Sequence, residues 1–129
     1  MAIATYSLTA LDAPDALALA TFYAAIVDGE VVIAHRNAAG LPLWVELKID
    51  GTTRIAFQRI ENFIPPTWPE GPVPQQAHLD FDVIDLDSAE AEILSIGATK
   101  SEVQPSSNPQ DSFRVYFDPI GHPFCLVKI

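Results

Sequence analysis

The sequence predicts an α+β fold built from two copies of a β-α-β-β-β module, and three observations predict it. The segment Leu8-Thr9-Ala10-Leu11-Asp12-Ala13-Pro14-Asp15 leads into an apolar helical run, and about seventy residues later His78-Leu79-Asp80-Phe81-Asp82-Val83-Ile84-Asp85 leads into another. Each half then closes on a turn and a last strand, Asp50-Gly51 before Ile55–Ile60 and Ile120-Gly121 before Phe124–Ile129. Between the halves lies a proline-rich stretch without apolar periodicity. A doubled supersecondary unit predicts an internal pseudo-twofold, with a site built between the copies. The copies differ where chemistry is expected, since Leu8 is the counterpart of His78.

Residues 5–11 alternate weakly and read as a short strand. Asp12 to Asp15, with Pro14, supply helix-start chemistry, because an Asp oxygen caps free N–H groups and proline suits the first turn. The run Ala16 to Ile26 carries Leu17, Ala20, Phe22, Tyr23 and Ile26 at near-helical spacing, and Asp28-Gly29 stops it. Glu30 to Arg36 is rich in β-branched residues and reads as a strand. Leu43 to Ile49 and Thr53 to Ile60 flank Asp50-Gly51, which supplies the positive φ of a tight hairpin turn. Module 1 thus covers about residues 1–60.

Residues 61–76 hold Pro65, Pro66, Pro69, Pro72 and Pro74. Proline fixes φ and removes a donor, so this segment predicts an extended connector rather than a sheet strand. Phe63 and Trp68 anchor it against the body. Module 2, residues 77–129, repeats the order. Ala77 to Val83 alternates as a strand, Asp85 or Asp87 starts a helix through Ala89, Ile93, Leu94 and Ile96, and Gly97 ends it. Ala98 to Gln104 predicts a strand, Pro105 to Ser112 a polar loop and Phe113 to Asp118 a strand. Pro119-Ile120-Gly121-His122-Pro123 turns into the final strand.

At 129 residues the chain suits a single domain able to bury most of its apolar surface. With 49% hydrophobic and 19% charged residues the composition is that of a globular protein. Seven Lys and Arg against seventeen Asp and Glu leave a net charge of −10, which argues against nucleic acid and against anionic membrane surfaces. A neutral or cationic small molecule is the easier partner to attract. Cys125 is the single cysteine, so no intrachain disulfide forms and nothing points to an oxidising compartment. The N-terminal residues lack a basic segment followed by an apolar core, and no apolar run has the length to span a bilayer. The expectation is a soluble, cytoplasmic protein.

The doubled module, together with Phe117-Asp118-Pro119-x-Gly121-x-Pro123-Phe124, resembles the vicinal oxygen chelate superfamily. That group holds glyoxalase I, extradiol dioxygenases, and the bleomycin- and fosfomycin-resistance proteins. The segments Gln75–Phe81 and Asp118–Leu126 look most like its glyoxalase-like domain branch. The resemblance covers nearly the whole chain, and it implies a homodimer and curved sheets around a cavity. It does not fix an activity, since one fold hosts many functions. Metal-dependent members hold a divalent ion by a ligand from the first and last strand of each module. Carried over, those places are Leu8, Ala56, His78 and Cys125. Leucine and alanine cannot coordinate, and one imidazole with one thiolate falls short of the three protein ligands of catalytic zinc sites. The expectation is therefore no metal cofactor.

Strand alternation sorts the remaining candidates. If Leu79, Phe81 and Val83 pack under helices, His78, Asp80 and Asp82 face the cavity or its mouth. His78 reads first as a hydrogen-bonded wall histidine, with proton transfer as the second role; Asp80 and Asp82 are either ligand contacts or solvated carboxylates. Trp44, Glu46 and Lys48 share one face of their strand, opposite the core set Leu43, Val45, Leu47 and Ile49. Trp44 and Glu46 are thus a candidate ligand pair, a flat aromatic beside a charge. Either His35 or Arg36 should line the same concavity, and Trp68 could lid it. Arg114 and Tyr116 share a face, where the arginine is expected to meet acidic groups. Cys125, flanked by Phe124 and Leu126, reads as an inert cavity-side thiol. The ligand-binding set is His35, Trp44, Glu46, Trp68, His78, Asp80 and Cys125.

The expected function is that of a metal-free protein that sequesters an apolar or cationic small molecule, in the manner of bleomycin-resistance proteins and so tied to antibiotic resistance. The alternative is a lyase, isomerase or dioxygenase using a divalent metal such as Zn, Ni, Fe or Mn on His78, with Glu46 or Gln58 as further ligands under a shifted register. A third reading is a partner-binding module without a small ligand, which would fill its cavity and expose an apolar patch instead.

Overall fold

The computed structural model describes residues 1–106, 108 and 112–129. The chain forms two compact units, Met1–Phe63 and Ile64–Ile129. Ten elements follow in order: β1 (Thr9–Ala13), α1 (Ala16–Val27), β2 (Glu30–Arg36), β3 (Pro42–Ile49), β4 (Thr52–Arg59), β5 (Leu79–Val83), α2 (Leu86–Ser95), β6 (Thr99–Lys100), β7 (Phe113–Phe117) and β8 (Pro123–Lys128). Each unit is a four-stranded sheet, ordered β1-β4-β3-β2 in the first and β5-β8-β7-β6 in the second. Within each, the outer first strand runs parallel to the last strand, and the other neighbours are antiparallel. The repeat seen in the sequence is therefore a repeat of topology.

The same local chemistry starts both helices. Asp15 and Asp85 hold extended backbone and accept the N–H of the residue three positions on, Ala18 at 3.0 Å and Ser88 at 2.9 Å. Asp85, not Asp87, is thus the cap of α2. Asp28 ends α1 in the left-handed region at φ 51°, sending its N–H to the Ala24 carbonyl. Asp50 and Gly51 both have positive φ, 53° and 78°, as the tight β3–β4 hairpin requires.

The core of the first unit gathers Tyr23, Val45, Leu47 and Phe57, all fully buried. Tyr23 stacks on Phe57 with ring centroids 5.8 Å apart, joining α1 to β4. Leu19 takes a deeper place than the expected Leu17 and Ile26, which are half-buried. In the second unit Tyr116 stacks on Phe124 at 5.8 Å, and Phe81 meets Phe124 edge-on at 5.9 Å. Burying such side chains contributes about 1.5–3 kcal/mol each.

Two expectations are corrected. The first strand starts at Thr9 rather than at residue 5, and residues 1–8 carry no regular element. The strand expected over Ala98–Gln104 is only Thr99–Lys100. Beyond it, the Gln104 amide does the work of a strand backbone: its Oε1 accepts Val115 N–H at 2.8 Å and its Nε2 donates to the Val115 carbonyl at 2.9 Å. That side chain satisfies the β7 backbone where a longer β6 would have done so. Of the expected loop Pro105–Ser112, residues 107 and 109–111 lie outside the described residues.

The connector forms no sheet strand. Thr67 bridges to Pro74, and its N–H donates to the Val73 carbonyl at 2.6 Å. The turn before β8 is built on Asp118, only 2% exposed, whose Oδ1 accepts the N–H groups of Ile120, Gly121 and His122 at 2.9–3.0 Å.

Candidate functional site

In the second unit, period two separates a helix-covered face from an opposite face. Phe81, Tyr116, Phe124 and Leu126 occupy the first. The second takes Asp80 from β5, Cys125 from β8 and Val115 from β7, aligned in one row because Asp80 pairs with Cys125 and Cys125 with Val115. His78 precedes β5 by one residue and falls on the same side.

These residues meet. His78 Nε2 lies 3.2 Å from Asp80 Oδ1, and the donor atoms of His78, Asp80 and Cys125 all lie within 4.8 Å of one another. His78 and Asp80 are exposed, whereas Cys125 is 7% exposed. Burial pushes the Cys125 thiol up to about 11, with the Asp80 charge and a hydrogen bond to Asp80 adding to it. At neutral pH the group is a protonated, inert thiol, as its apolar flanks suggested.

A cavity of about 110 Å³ opens beside this row, lined by Trp68, Gln75, His78, Phe113, Val115 and Cys125 among others. Trp68 thus stands against the cavity, with His78 and Cys125 on its wall. Among the described residues, Gln75 Oε1 is buried without a hydrogen-bond partner. Such an atom carries a desolvation penalty of about 1–3 kcal/mol until a donor reaches it. Gln75, Phe113 and Val115 were not singled out from the sequence. Val115 was accessible from strand alternation opposite Cys125; nothing local marks Gln75.

The other candidates belong to the first unit. His35 pairs with Trp44 across β2 and β3, and Trp44 Nε1 donates to Glu46 Oε2 at 3.1 Å. The aromatic and the carboxylate are neighbours as alternation required, but each is already the other's hydrogen-bond partner. His35 and Arg36 are both exposed, and the Arg36 guanidinium donates to the Gly40 carbonyl at 2.8 Å. On this sheet Ala10 pairs with Ala56, the positions that Asp80 and Cys125 occupy in the second. Ala56 is fully buried and Leu8 half-buried. The first unit therefore offers hydrocarbon at both places where metal-dependent relatives place ligands, and the residues do not fit that four-ligand centre.

Arg114 and Tyr116 lie on the helix side. Arg114 Nη2 meets Asp87 at 2.8 Å, while Glu90 gathers Lys100 at 2.9 Å, Arg114 at 3.4 Å and the Tyr116 hydroxyl at 2.7 Å. Burial would raise the Glu90 carboxyl, yet hydrogen bonds from Lys100 and Tyr116 outweigh it and hold the group below its ordinary value. Burial first, then the Glu90 bond, raises the Tyr116 phenol. Every charge here has an opposite partner, so the cluster fixes α2 to β7.

Among the described residues no helix is long and apolar enough to cross a membrane. No curated protein matches the chain. Several solved structures share its fold. The genomically encoded fosfomycin resistance protein FosX from Listeria monocytogenes is 16% identical, with 99% of this chain and 95% of that one covered at a TM-score of 0.68. A glyoxalase/bleomycin resistance protein/dioxygenase family enzyme from Burkholderia phytofirmans is also 16% identical, covering 95% and 97% at 0.66. A FosX variant complexed with Mn(II) and 1S,2S-dihydroxypropylphosphonic acid is 17% identical, covering 98% and 93% at 0.69. The model of the glyoxalase-like domain matches residues 9–127. With that match spanning nearly the whole of a doubled β-α-β-β-β chain, the protein belongs to the glyoxalase-like domain family.

Proposed function

We propose that this protein binds and sequesters a small neutral or cationic organic molecule in the cavity of its second unit. Ligand contact would come from Trp68, Gln75, His78 and Cys125, with Asp80 at the rim. The observation that carries the reading is the buried, unpartnered Gln75 Oε1 in an otherwise mostly apolar cavity beside a tryptophan. An N–H or O–H of a ligand would satisfy it, and a cationic donor would also be favoured by Trp68 and by the acidic chain. A volume near 110 Å³ suits one ring or one alkylammonium end rather than a whole drug-sized molecule. The absence of donors at Leu8 and Ala56 means that retention does not depend on the four-ligand metal centre. His35, Trp44 and Glu46 stand as candidate contacts of the first unit taken by itself. A cytoplasmic homodimer completes it, with a role in drug resistance, the role that the name of the fosfomycin resistance protein FosX carries.

Tryptophan fluorescence tests this reading, with a panel of aromatic and cationic natural products as titrants. A saturable change that survives Trp44→Phe and disappears in Trp68→Phe supports it. Silence across the panel, together with metal-dependent turnover of any substrate, overturns it in favour of a lyase, isomerase or dioxygenase. The three donors around Cys125 are what give that alternative weight.

A further inference from the structure

We infer that Thr67 is a positioning residue that clasps the connector into a closed strap, and that the strap holds Trp68 and Gln75 against the cavity. The inference rests on the reading of that cavity as a ligand site and adds the device that keeps it closed.

The clasp uses both the backbone and the side chain of Thr67. Its N–H donates to the Val73 carbonyl at 2.6 Å, and its Oγ1 accepts the Val73 N–H at 3.1 Å. Thr67 also bridges to Pro74, closing residues 67–74 into a loop. Trp68 follows one end of this bridge and Gln75 the other, and both line the cavity. The bridge thus fixes the backbone on which the two side chains stand, and Thr67 acts through them.

Gly71 is fitted to the clasp. A Cβ there would stand 2.5 Å from Thr67 Oγ1 and 2.7 Å from Thr67 Cβ, and φ is 132°. Only glycine lets the loop close over the threonine in this way. At the base of the strap, Pro65 lies against the turn before β8, its Cβ 3.0 Å from where a Gly121 Cβ would stand.

Two opposed effects act on the strap. Gln75 Oε1, buried without a hydrogen-bond partner among the described residues, favours opening, because water would then reach it. The two Thr67–Val73 hydrogen bonds favour closing. A ligand that donates to Gln75 removes the first effect, so binding and closure reinforce each other. Apparent affinity then scales with the closed fraction. The first unit supplies a contrast, since it forms a sheet of the same order with no regular element in residues 1–8. A module folds without a strap, and the clasp therefore serves the cavity rather than the sheet.

Thr67→Val keeps the branched shape and removes the Oγ1 acceptor. In full-length protein carrying Trp44→Phe, Trp68 becomes the fluorescent reporter. The readouts are acrylamide quenching of Trp68 and hydrogen exchange of the amide at position 67. That amide bonds to the Val73 carbonyl, so its exchange reads loop opening rather than the deleted bond. Thr67→Val should speed it about threefold to tenfold, the worth of one hydrogen bond, and increase the quenching of Trp68. Gly71→Ala should do the same from the other side of the loop, and Thr67→Ser should restore the original values. The amides of Val115 in β7 and Leu126 in β8 should not change. Unaltered exchange or quenching in Thr67→Val overturns the inference, and so does a Thr67→Ser protein that behaves like it. Equal acceleration at Val115 and Leu126, or loss of folding in Thr67→Val, overturns it too, since Thr67 would then hold the whole unit. Neither readout uses a ligand of the cavity, so a silent titration panel leaves the clasp standing, and a failed clasp leaves the titration standing.

Discussion

Tyr116 donates its hydroxyl to Glu90 Oε1 across 2.7 Å, tying the centre of β7 to a half-buried carboxylate of α2. Glu90 receives Lys100 and Arg114 as well, so its ionised form is favoured in the folded chain and its carboxyl lies below the ordinary 4.5. A carboxyl lowered on folding gives stability that is fully present above its unfolded pKa and is lost as pH falls through its folded pKa. Part of the acid limb of stability, below about pH 4.5, therefore belongs to Glu90. Urea denaturation of Glu90→Gln across pH 3–7 should show a smaller loss of stability on acidification than wild type. Tyr116→Phe should cost about 1.5–3 kcal/mol at neutral pH, the worth of one hydrogen bond to a charged acceptor.

Asp118 holds the turn that launches β8 and hence positions Cys125. One carboxylate oxygen serves three backbone N–H groups, so its loss strands three donors at once. Asp118→Ala should destabilise by about 3 kcal/mol or more, and Asp118→Asn, which keeps an acceptor without the charge, by about 1–2 kcal/mol. Thermal melts of the two variants rank them directly.

This turn is legible in the sequence, and so are the hairpin at Asp50-Gly51 and an aspartate start for both helices, with Asp85 and Asp87 both open for the second. Each depends on residues within four positions of one another, where local chemistry decides. The strand after Ala98 was not legible, because Gln104 reaches eleven residues ahead to Val115 to replace the missing backbone ladder. Site residues divide along the same line. His78, Asp80 and Cys125 follow from strand period and the repeat, which place them on one face. Gln75 has no period to announce it; it sits in a connector whose path depends on Thr67, Val73 and Pro74 closing a loop. The Trp44–Glu46 pair was visible as a pair, but its hydrogen bond depends on rotamers and not on pattern.

Gly29 gives a clean contrast between close approach and backbone strain. A Cβ there would stand 2.6 Å from Leu47 Cδ1 and 2.9 Å from the Lys48 carbonyl oxygen, where α1 turns back under β3. The leucine methyl can shift, but the strand oxygen cannot. Gly29→Ala should therefore lower stability by about 1–3 kcal/mol, as overpacking does. At Gly51, φ is 78° and a Cβ meets nothing within 4 Å, so Gly51→Ala should cost only the left-handed strain of about 1 kcal/mol. Chemical denaturation of the pair separates the two effects.

The unpartnered Gln75 oxygen makes stability and binding move in opposite directions. In the free protein it is a buried acceptor with nothing to accept, a penalty of about 1–3 kcal/mol that a residue of similar shape without the oxygen would relieve. Gln75→Met should therefore leave the free protein as stable as wild type or about 1 kcal/mol more so. The same change deletes the acceptor that a bound donor would use, and affinity for the ligand identified by Trp68 fluorescence should fall about tenfold, as one lost hydrogen bond requires. If Gln75 were instead a structural residue, its removal would lower the melting temperature and leave affinity untouched. Differential scanning calorimetry and the fluorescence titration, run on the same preparation, read both signs. A group kept at a cost to the fold and recovered only on binding is what a ligand site requires.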